Sequence, residues 1–215
     1  MPSDLIDTVR FILPGIWITL QVSALSIAIG FCLSIVVGAL RTTGFLPLRL
    51  ALASYVQLFR GTSLLVQIFY FFFVLPLLGL PLGAFWAGVW ALSLNAGAYG
   101  SEIVRGAIAS VDRRQTEAAI AINLSPLRTF WRIILPQALA WMILPFATLS
   151  LQIVKSTPLL ALISVADMFS RGQMYITITG ETARVYAVIL VVYYLIGLPI
   201  VKIGERLQHR YGNRT

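Results

Sequence analysis

The chain consists of long apolar runs separated by short basic segments. A membrane-spanning helix needs about 20 apolar residues, with a range of roughly 17 to 25. The first run lies between Arg10 and Arg41, and we predict a span at 15–40. This run follows Asp7 rather than a basic segment, and it is longer than the roughly 7–15 residues of a signal-peptide core. We therefore interpret it as a span that is retained.

The later runs predict four more spans and one shorter segment. The uncharged run 61–101 has twice the length of one span, and it is interrupted in the middle by Pro76, Gly79, Pro81 and Gly83. Such residues favour a turn, which predicts a hairpin of two spans. A fourth span is predicted at 133–154 and a fifth at 185–201. The segment 156–166 is too short to cross and is expected to be packed or re-entrant.

The distribution of Lys and Arg predicts the orientation of these five transmembrane helices, because basic residues accumulate in cytoplasmic loops. One alternate set of loops contains 4 basic residues, namely Arg10, Lys155, Arg171 and Arg184. The other set contains 12, namely Arg41, Arg49, Arg60, Arg105, Arg113, Arg114, Arg128, Arg132, Lys202, Arg206, Arg210 and Arg214. The prediction is an all-α membrane protein with its N-terminus outside and its C-terminus in the cytoplasm. The loop 105–132 is then its largest cytoplasmic loop.

The composition excludes a soluble globular domain. Hydrophobic residues make up 59% of the 215 residues, charged residues only 11%, and the mean hydropathy is +0.88. Ordinary soluble domains contain roughly 25% charged residues. The net charge of +8 comes from basic residues that lie between apolar runs. It therefore indicates membrane topology and not a nucleic-acid partner. With one cysteine, Cys32, and one histidine, His209, we expect neither a metal site nor a cofactor on this chain.

The cytoplasmic loop 105–132 has the pattern of two short helices joined by a bend. Asp112 and Gln115 resemble a capping box, and the alanine-rich segment after them favours a helix. Ser125 followed by Pro126 predicts a second helix start. Apolar residues at helical spacing then lead into the fourth span, namely Leu127, Phe130, Trp131 and Ile134.

A longer motif in this loop carries a family resemblance. Glu117-Ala118-Ala119 is followed after three residues by Asn123, and after nine more by Ile133-Ile134-Leu135-Pro136. This resembles the EAA loop, E-A-A-x3-G-x9-I-x-L-P, of permease subunits of bacterial ABC importers. Segments 60–67, 95–99, 102–106 and 155–159 are similar to the polar amino-acid uptake branch, which includes histidine, glutamate, glutamine and arginine permeases. The resemblance covers residues 15–208, which we take as one permease domain.

The chain departs from the family pattern at four places, one of which is Arg114-Gln115, where the family usually has Gly-Gln before the EAA. The glycine of the EAA loop is Asn123, and asparagine tolerates a left-handed backbone, so the bend is expected to survive. Ser63 stands where the family has the proline of Arg-Gly-Thr-Pro. Residues 155–158 read Lys-Ser-Thr-Pro where the family has Lys-Asp-Thr-Ser. These departures leave the cargo within the branch open.

The resemblance implies a type I importer permease fold with a coupling helix that docks on a separate ATPase. The residues that would couple to the ATPase are Glu117, Ala118, Ala119, Asn123, Ser125 and Pro126. It implies as partners a dimer of ATP-binding-cassette ATPase subunits that bind ATP and Mg, a second identical or homologous permease, an extracytoplasmic solute-binding protein and the lipid bilayer. The sequence itself has no G-x-x-x-x-G-K-[ST] motif, which agrees with an ATPase on another chain. The expected location is the bacterial inner membrane, with several passes.

Polar residues within the spans are candidates for the substrate path, because unpaired polar groups there usually face the protein interior or water. The candidates are Gln67, Asn95, Lys155 and Thr157. Hydrogen bonds between helices are the alternative for the two amides, and snorkelling to the interface is the alternative for the lysine. Arg60, Glu102 and Arg105 are predicted to have structural or gating roles, since the spacing of Glu102 and Arg105 permits an ion pair.

Three functions are compared on the sequence alone. We predict a permease subunit that imports a polar amino acid or a related solute and is not an enzyme. A secondary transporter or channel would normally need more spans or inverted repeats. An intramembrane enzyme would need a catalytic constellation, and the sequence contains neither H-E-x-x-H nor G-x-S-x-G.

Overall fold

The computed structural model of this protein describes residues 5–42 and 45–211. Tyr211 is described without its side chain. Within these two ranges every regular element is a helix, which confirms the all-α prediction. Arg214, one of the basic residues used to predict the orientation, lies outside the described residues.

The α-helices of the described ranges are α1 (Leu5–Leu40), α2 (Leu46–Gly61), α3 (Leu64–Phe69), α4 (Ala84–Ala109), α5 (Arg113–Ala121), α6 (Pro126–Thr129), α7 (Leu135–Ser156), α8 (Met168–Thr179) and α9 (Thr182–Tyr211). A π-turn at Tyr70–Val74 and a 3-10 turn at Leu75–Leu78 extend α3. A second π-turn, Phe130–Ile134, joins α6 to α7, and a 3-10 segment, Thr157–Ile163, extends α7.

Helices α1 and α4 form the centre of the fold and approach each other closely. A Cβ atom added at Gly100 of α4 would lie only 2.0 Å from Ser34 Oγ of α1, and one added at Gly38 would lie 2.6 Å from the Val104 Cβ. Ser34 turns its hydroxyl back to donate to the Gly30 carbonyl at 2.6 Å. Small residues at such crossings let two backbones pack without a gap, as is typical of helix pairs in membranes.

The segment after α7 packs one face into the protein core. Leu160 and Ile163 of the 3-10 segment join Val22, Ile68 and Leu92 in one apolar cluster that connects α1, α3 and α4. A second cluster joins α1 to α8 and α9 through Ile12, Met168, Tyr175, Val185 and Ile189. The predicted segment 156–166 is therefore packed into the protein core.

Among the described residues, three helical stretches are long and apolar enough to cross a membrane, namely Leu5–Leu40, Pro126–Ile163 and Thr182–Arg210. A fourth is obtained if the pair Leu46–Gly61 and Leu64–Leu78, bent by 107°, is counted as one span. These stretches agree with three of the predicted spans and part of the hairpin. The number of five spans and the orientation of the termini stay predictions.

The structure differs from the predicted elements at both ends and in one loop. Helix α1 begins ten residues before the predicted start, because Ile12 packs against α8 and α9 while Pro14 is accommodated inside the helix. Helix α9 extends beyond the predicted 185–201 in both directions. The segment 46–61, which contains Arg49 and Arg60 of one predicted loop, was not predicted to be helical. It forms α2, whose Val56 is buried against Val37 and Ala98.

Candidate functional site: an exposed motif and a polar network

The motif segment folds as two short helices around a left-handed bend. Asp112 caps α5, since its Oδ1 accepts a hydrogen bond from the backbone N–H of Arg114 at 2.9 Å. After α5, Asn123 has φ of +55°, and the Leu124 N–H donates to the Ala119 carbonyl at 3.0 Å. The prediction that asparagine adopts the left-handed conformation of the family's glycine is confirmed. The bend follows from local sequence chemistry.

The second helix of the motif begins at Pro126, as predicted. Ser125 is extended, and Pro126 occupies the first helical positions, where a missing N–H removes no hydrogen bond. The Ser125 carbonyl accepts hydrogen bonds from the Thr129 N–H at 2.9 Å and from the Thr129 hydroxyl at 3.1 Å. The Ser125 side chain itself makes no capping hydrogen bond.

Most side chains of the motif are exposed. Glu117 and Ala118 are exposed, whereas Ala119 is only 1% exposed. Four large apolar side chains of this region are 60–70% exposed, namely Ile120, Ile122, Leu127 and Trp131. We call these four residues together with Glu117 and Ala118 the motif surface. Exposed apolar patches mark surfaces that contact a partner protein or the membrane.

Two predicted substrate-path residues, Gln67 and Asn95, hydrogen-bond to each other. Asn95 Nδ2 donates to Gln67 Oε1 at 3.0 Å and to the Phe59 carbonyl at 3.1 Å. Gln67 Nε2 donates to the same Phe59 carbonyl at 2.8 Å and to the Thr62 hydroxyl at 2.8 Å. The two amides therefore join α3 and α4 to the carboxyl end of α2, which is the alternative role considered from the sequence.

Three arginines lie around the Glu102 carboxylate. Its Oε2 accepts from Arg105 Nε at 2.9 Å, and Arg105 Nη2 lies 2.8 Å away, so the predicted i,i+3 pair is formed. Arg41, at the end of α1, donates from Nη1 to Oε1 at 2.5 Å. Arg60 is more distant, with its Nη1 3.9 Å from Oε1 and its guanidinium 5.3 Å from the centre of the Tyr99 ring.

Sequence reasoning missed Arg41 as a member of this group. It is separated from Glu102 by 61 positions, so only the close packing of α1 on α4 brings the two together. The group contains three guanidiniums and one carboxylate, and it connects α1, α2 and α4.

Lys155 and Thr157 were both predicted to line the substrate path, and the structure places them in different surroundings. Lys155 is exposed and lines a cavity of about 550 Å³ together with Tyr193 and Tyr194. Thr157 is completely buried, its hydroxyl 2.9 Å from the Val154 carbonyl and 3.0 Å from the Tyr193 hydroxyl. Thr157 thus links the end of α7 to α9.

A buried acidic residue, Asp167, lies between the candidate spans that end at Ile163 and begin at Thr182. Its Oδ1 accepts from the Ser170 N–H at 2.9 Å and caps α8, whereas its Oδ2 is buried and has no hydrogen-bond partner among the described residues. Burial raises the pKa of Asp167 to about 6, partly opposed by backbone N–H donors. The sequence offered only a weak signal, an aspartate beside an apolar segment. Among the described residues, no group of three or more His, Cys, Asp and Glu could hold a metal ion.

Long apolar helices with small residues at the α1–α4 crossing are typical of a membrane protein, and the family match shows a component of a transport system rather than an enzyme. The chain belongs to the family described as binding-protein-dependent transport system inner membrane component, which matches residues 30–211.

Curated relatives agree with this family. The chain is 40% identical over 192 residues to a probable amino-acid ABC transporter permease protein of Sinorhizobium fredii, covering 86% of this chain and 80% of the relative. It is 38% identical over 159 residues to the L-cystine transport system permease TcyB of Bacillus subtilis, covering 74% and 68%. It is 32% identical over 211 residues to the glutamine transport system permease GlnP of Escherichia coli, covering 97% and 96%.

Solved structures confirm the fold. A chain of an amino acid ABC transporter crystallised with histidines superposes with a TM-score of 0.89 at 27% identity, covering 98% of this chain and 100% of that one. A chain of the inward-facing MetNI methionine ABC transporter superposes with a TM-score of 0.79 at 20% identity, covering 94% and 97%. The predicted ABC importer permease architecture is therefore confirmed at the level of the fold.

Proposed function

We propose that this chain is the membrane-spanning permease subunit of an ATP-binding-cassette importer for a polar amino acid or a related solute. In this proposal an extracytoplasmic binding protein delivers the cargo and a separate ATPase drives its translocation. The permease domain extends over residues 15–208 in a bacterial inner membrane. Relatives named as permeases for amino acids, cystine and glutamine support the cargo class.

The observation that carries the coupling part of the proposal is the motif surface. Large apolar side chains are normally withdrawn from water, yet Ile120, Ile122, Leu127 and Trp131 stay exposed around Glu117. A docked ATPase would bury these side chains and pair Glu117 with a basic or polar group. The exposed Ala118 lets a partner helix approach closely. Asn123, Ser125 and Pro126 hold the bend that presents this surface.

The remaining partners follow from the same proposal. ATP and Mg bind to the ATPase dimer, and this chain carries no cofactor. A second copy of the chain or a homologous permease completes the translocation path, because one small helical unit cannot easily enclose a polar route through the bilayer. Alternating access then consists of rigid-body movement of the paired permeases when the ATPase subunits close. Nucleic acid is not a partner in this proposal.

The experiment that tests the proposal uses the tagged chain purified in mild detergent from its native host. Co-purification of an ATPase subunit with ATP hydrolysis in the eluate is the expected result, and it also identifies the second permease. The purified assembly is then placed in proteoliposomes with ATP and its binding protein, and amino-acid uptake is measured. A chain that is isolated alone and transports solute without ATP would instead favour a secondary transporter.

Glu117→Arg tests the motif surface within that assembly. We expect uptake to fall at least about tenfold, because reversal of an interfacial charge costs several kcal/mol. The matched control is Glu205→Arg, which makes the same change at an exposed site on α9. Uptake by Glu117→Arg at the level of the control would contradict the assignment of this surface to the ATPase.

A further inference from the structure

We propose that an apolar groove between α1, α7 and α9 binds an anionic phospholipid, with an acyl chain in the groove and the phosphate against arginines at the end nearest the motif. Two cavities form the groove, with volumes of about 350 Å³ and about 380 Å³. Both are lined by Ile143 of α7 and Leu207 of α9, so they meet at these two side chains. The site lies outside the surfaces that the proposed function uses.

The wall of the groove is apolar along its length. On α7 it extends from Pro136 to Ser150, which is roughly 21 Å at 1.5 Å per residue. One leaflet contributes about half of the roughly 30 Å hydrocarbon core of a bilayer. Ser150 is the one polar residue among the described residues that line the two cavities, and its hydroxyl donates to the Phe146 carbonyl at 2.8 Å. The groove is therefore long enough to hold an acyl chain across one leaflet.

Close contacts between helices fix the groove on both sides. A Cβ atom added at Gly204 of α9 would lie only 2.6 Å from the Ala147 Cβ of α7. On the α1 side, the rings of Phe31 and Phe146 have their centres 4.4 Å apart. Between these two contacts the space beside Ile203, which is 55% exposed, is not filled by the described residues. The groove is thus a concave gap between three helices and not a flat helix face.

The groove lies on the face of α7 that points away from α4. Thr148 and Gln152, which line a polar cavity shared with α4, each follow a groove residue by two positions, namely Phe146 and Ser150. Two positions correspond to about half a turn of a helix. All described residues that line the groove belong to helical stretches long and apolar enough to cross a membrane. In a chain that spans a bilayer, such a face is in contact with lipid.

Basic residues surround the end of the groove nearest the motif. Arg132 precedes the lining residue Pro136 by four positions, which is about one helical turn. On α9, Arg206 and Arg210 follow the lining residue Ile203 by three and seven positions. This spacing places both of them on or beside the groove face. All three arginines are exposed.

The charge at this end favours a phosphate. Glu205 follows Ile203 by two positions, so it lies about half a turn away from this side of the groove. Among the described residues, no side-chain hydrogen bond or ion pair of Arg132 or Arg206 is found. Guanidinium groups bind phosphate in a planar bidentate geometry, and basic pockets between membrane helices bind anionic headgroups. A zwitterionic headgroup also carries a cation, which three arginines oppose, so an anionic lipid is preferred.

The test measures lipid binding by the assembly as it is purified from the native host in detergent. Native mass spectrometry determines the affinity for palmitoyl-oleoyl phosphatidylglycerol and for the phosphatidylcholine with the same acyl chains. We expect phosphatidylglycerol to bind at least about tenfold more tightly, since each basic side chain beside an anionic lipid contributes about fivefold. Equal binding of the two lipids, or retention of neither, would overturn the proposal.

The double variant Arg206→Gln and Arg210→Gln should weaken phosphatidylglycerol binding at least about tenfold and leave phosphatidylcholine binding unchanged. The matched control is Arg49→Gln with Lys202→Gln, which removes two positive charges from exposed sites. Arg49 is on α2, and Lys202 lies about half a turn from the groove residue Gly204. An equal loss of affinity in the two double variants would show a general effect of charge and would overturn the site.

Leu207→Trp tests the place of the acyl chain. An indole where the two cavities meet should lower phosphatidylglycerol affinity at least about tenfold, because the acyl chain loses buried apolar contact. The control is Leu195→Trp, at an exposed position of the same helix that lines neither cavity. Equal affinities in these two variants would contradict the placement of the chain.

The same spectra report the mass of the assembly. If Leu207→Trp removes a copy of the permease, the groove contacts a second permease and the lipid assignment is wrong. An assembly of unchanged mass that has lost phosphatidylglycerol supports the assignment. Should the tryptophan variant fail to fold, the comparison of the two double variants decides alone.

Discussion

Asn95 Nδ2 lies 3.0 Å from Gln67 Oε1, and both side chains donate to the carbonyl of Phe59. This carbonyl is near the carboxyl end of α2, where the chain turns sharply into α3. Two amides from different helices thus satisfy a backbone acceptor at the 107° bend between α2 and α3. The relationship joins three helices by side chains that a membrane would otherwise leave unpaired.

We expect Asn95→Leu and Gln67→Leu each to destabilise the protein by about 1–3 kcal/mol, because each leaves buried polar partners unsatisfied. The double variant should lose less than the sum of the two. Thermal unfolding of the detergent-purified complex measures these changes. A variant with wild-type stability but weakened cargo binding would assign its amide to the substrate path and not to the bend.

Gly100→Ala should destabilise the protein by about 1–3 kcal/mol, since the added methyl group would overlap Ser34 where α1 crosses α4. Gly106→Ala on the same helix is the control, because a Cβ there meets nothing within 4 Å. It should be neutral or stabilise the helix by up to about 1 kcal/mol. The measurement is the unfolding midpoint of each variant. Equal midpoints would contradict the close α1–α4 crossing.

Asn123→Gly should retain uptake and stability, because glycine adopts a positive φ without strain. Asn123→Val should cost about 1–3 kcal/mol in local strain and reduce uptake, since a branched side chain disfavours the left-handed conformation. Limited proteolysis of the loop, together with uptake in proteoliposomes, distinguishes the two variants. Normal uptake and protease resistance of Asn123→Val would show that the bend does not need this conformation.

The raised pKa of Asp167 predicts that the stability of the protein depends on pH. Burial raises its pKa from 3.8 to about 6, so the folded protein favours the protonated carboxyl. The protonated Asp167 carboxyl contributes about 3 kcal/mol to the free energy of unfolding. This contribution is fully present below about pH 4 and is lost as the pH rises through about 6.

Asp167→Asn keeps an oxygen that can accept from the Ser170 N–H but does not ionise. We expect its unfolding midpoint to change little between pH 4 and pH 7.5, whereas the wild-type midpoint falls relative to it. The comparison is made by thermal unfolding of both proteins in the same detergent. If the unfolding midpoints of the two proteins changed with pH in parallel, Asp167 would be excluded as the source of the pH dependence.

Local chemistry explains which features of the fold could be predicted from the sequence. The bend at Asn123 and the helix start at Pro126 depend on neighbouring residues, so their patterns were sufficient. Helix α2 was missed because Arg49 and Arg60 suggested a loop, although Val56 is buried against two other helices. Its helical face is defined by packing and not by an uninterrupted apolar run.

Among the site residues too, contacts set by local spacing could be predicted, and contacts set by packing between distant segments could not. The pair formed by Glu102 and Arg105 could be predicted from its i,i+3 spacing. The bond from Arg41 to Glu102 could not, because 61 positions separate the two residues. The adjacent candidates Lys155 and Thr157 could not be distinguished from sequence either, since their surroundings depend on where α7 changes into a 3-10 segment.

The helical stretch from Pro126 to Ile163 contains 38 residues and joins the motif segment to the buried cluster that contains Leu160 and Ile163. At 1.5 Å per residue it is roughly 57 Å long. A tilt of about 10° about one end therefore displaces the other by roughly 10 Å. If the proposed ATPase docks on the motif surface, a small rotation of the motif would move the far end of this stretch by about the width of an amino acid, without a chain of side-chain rearrangements through the core.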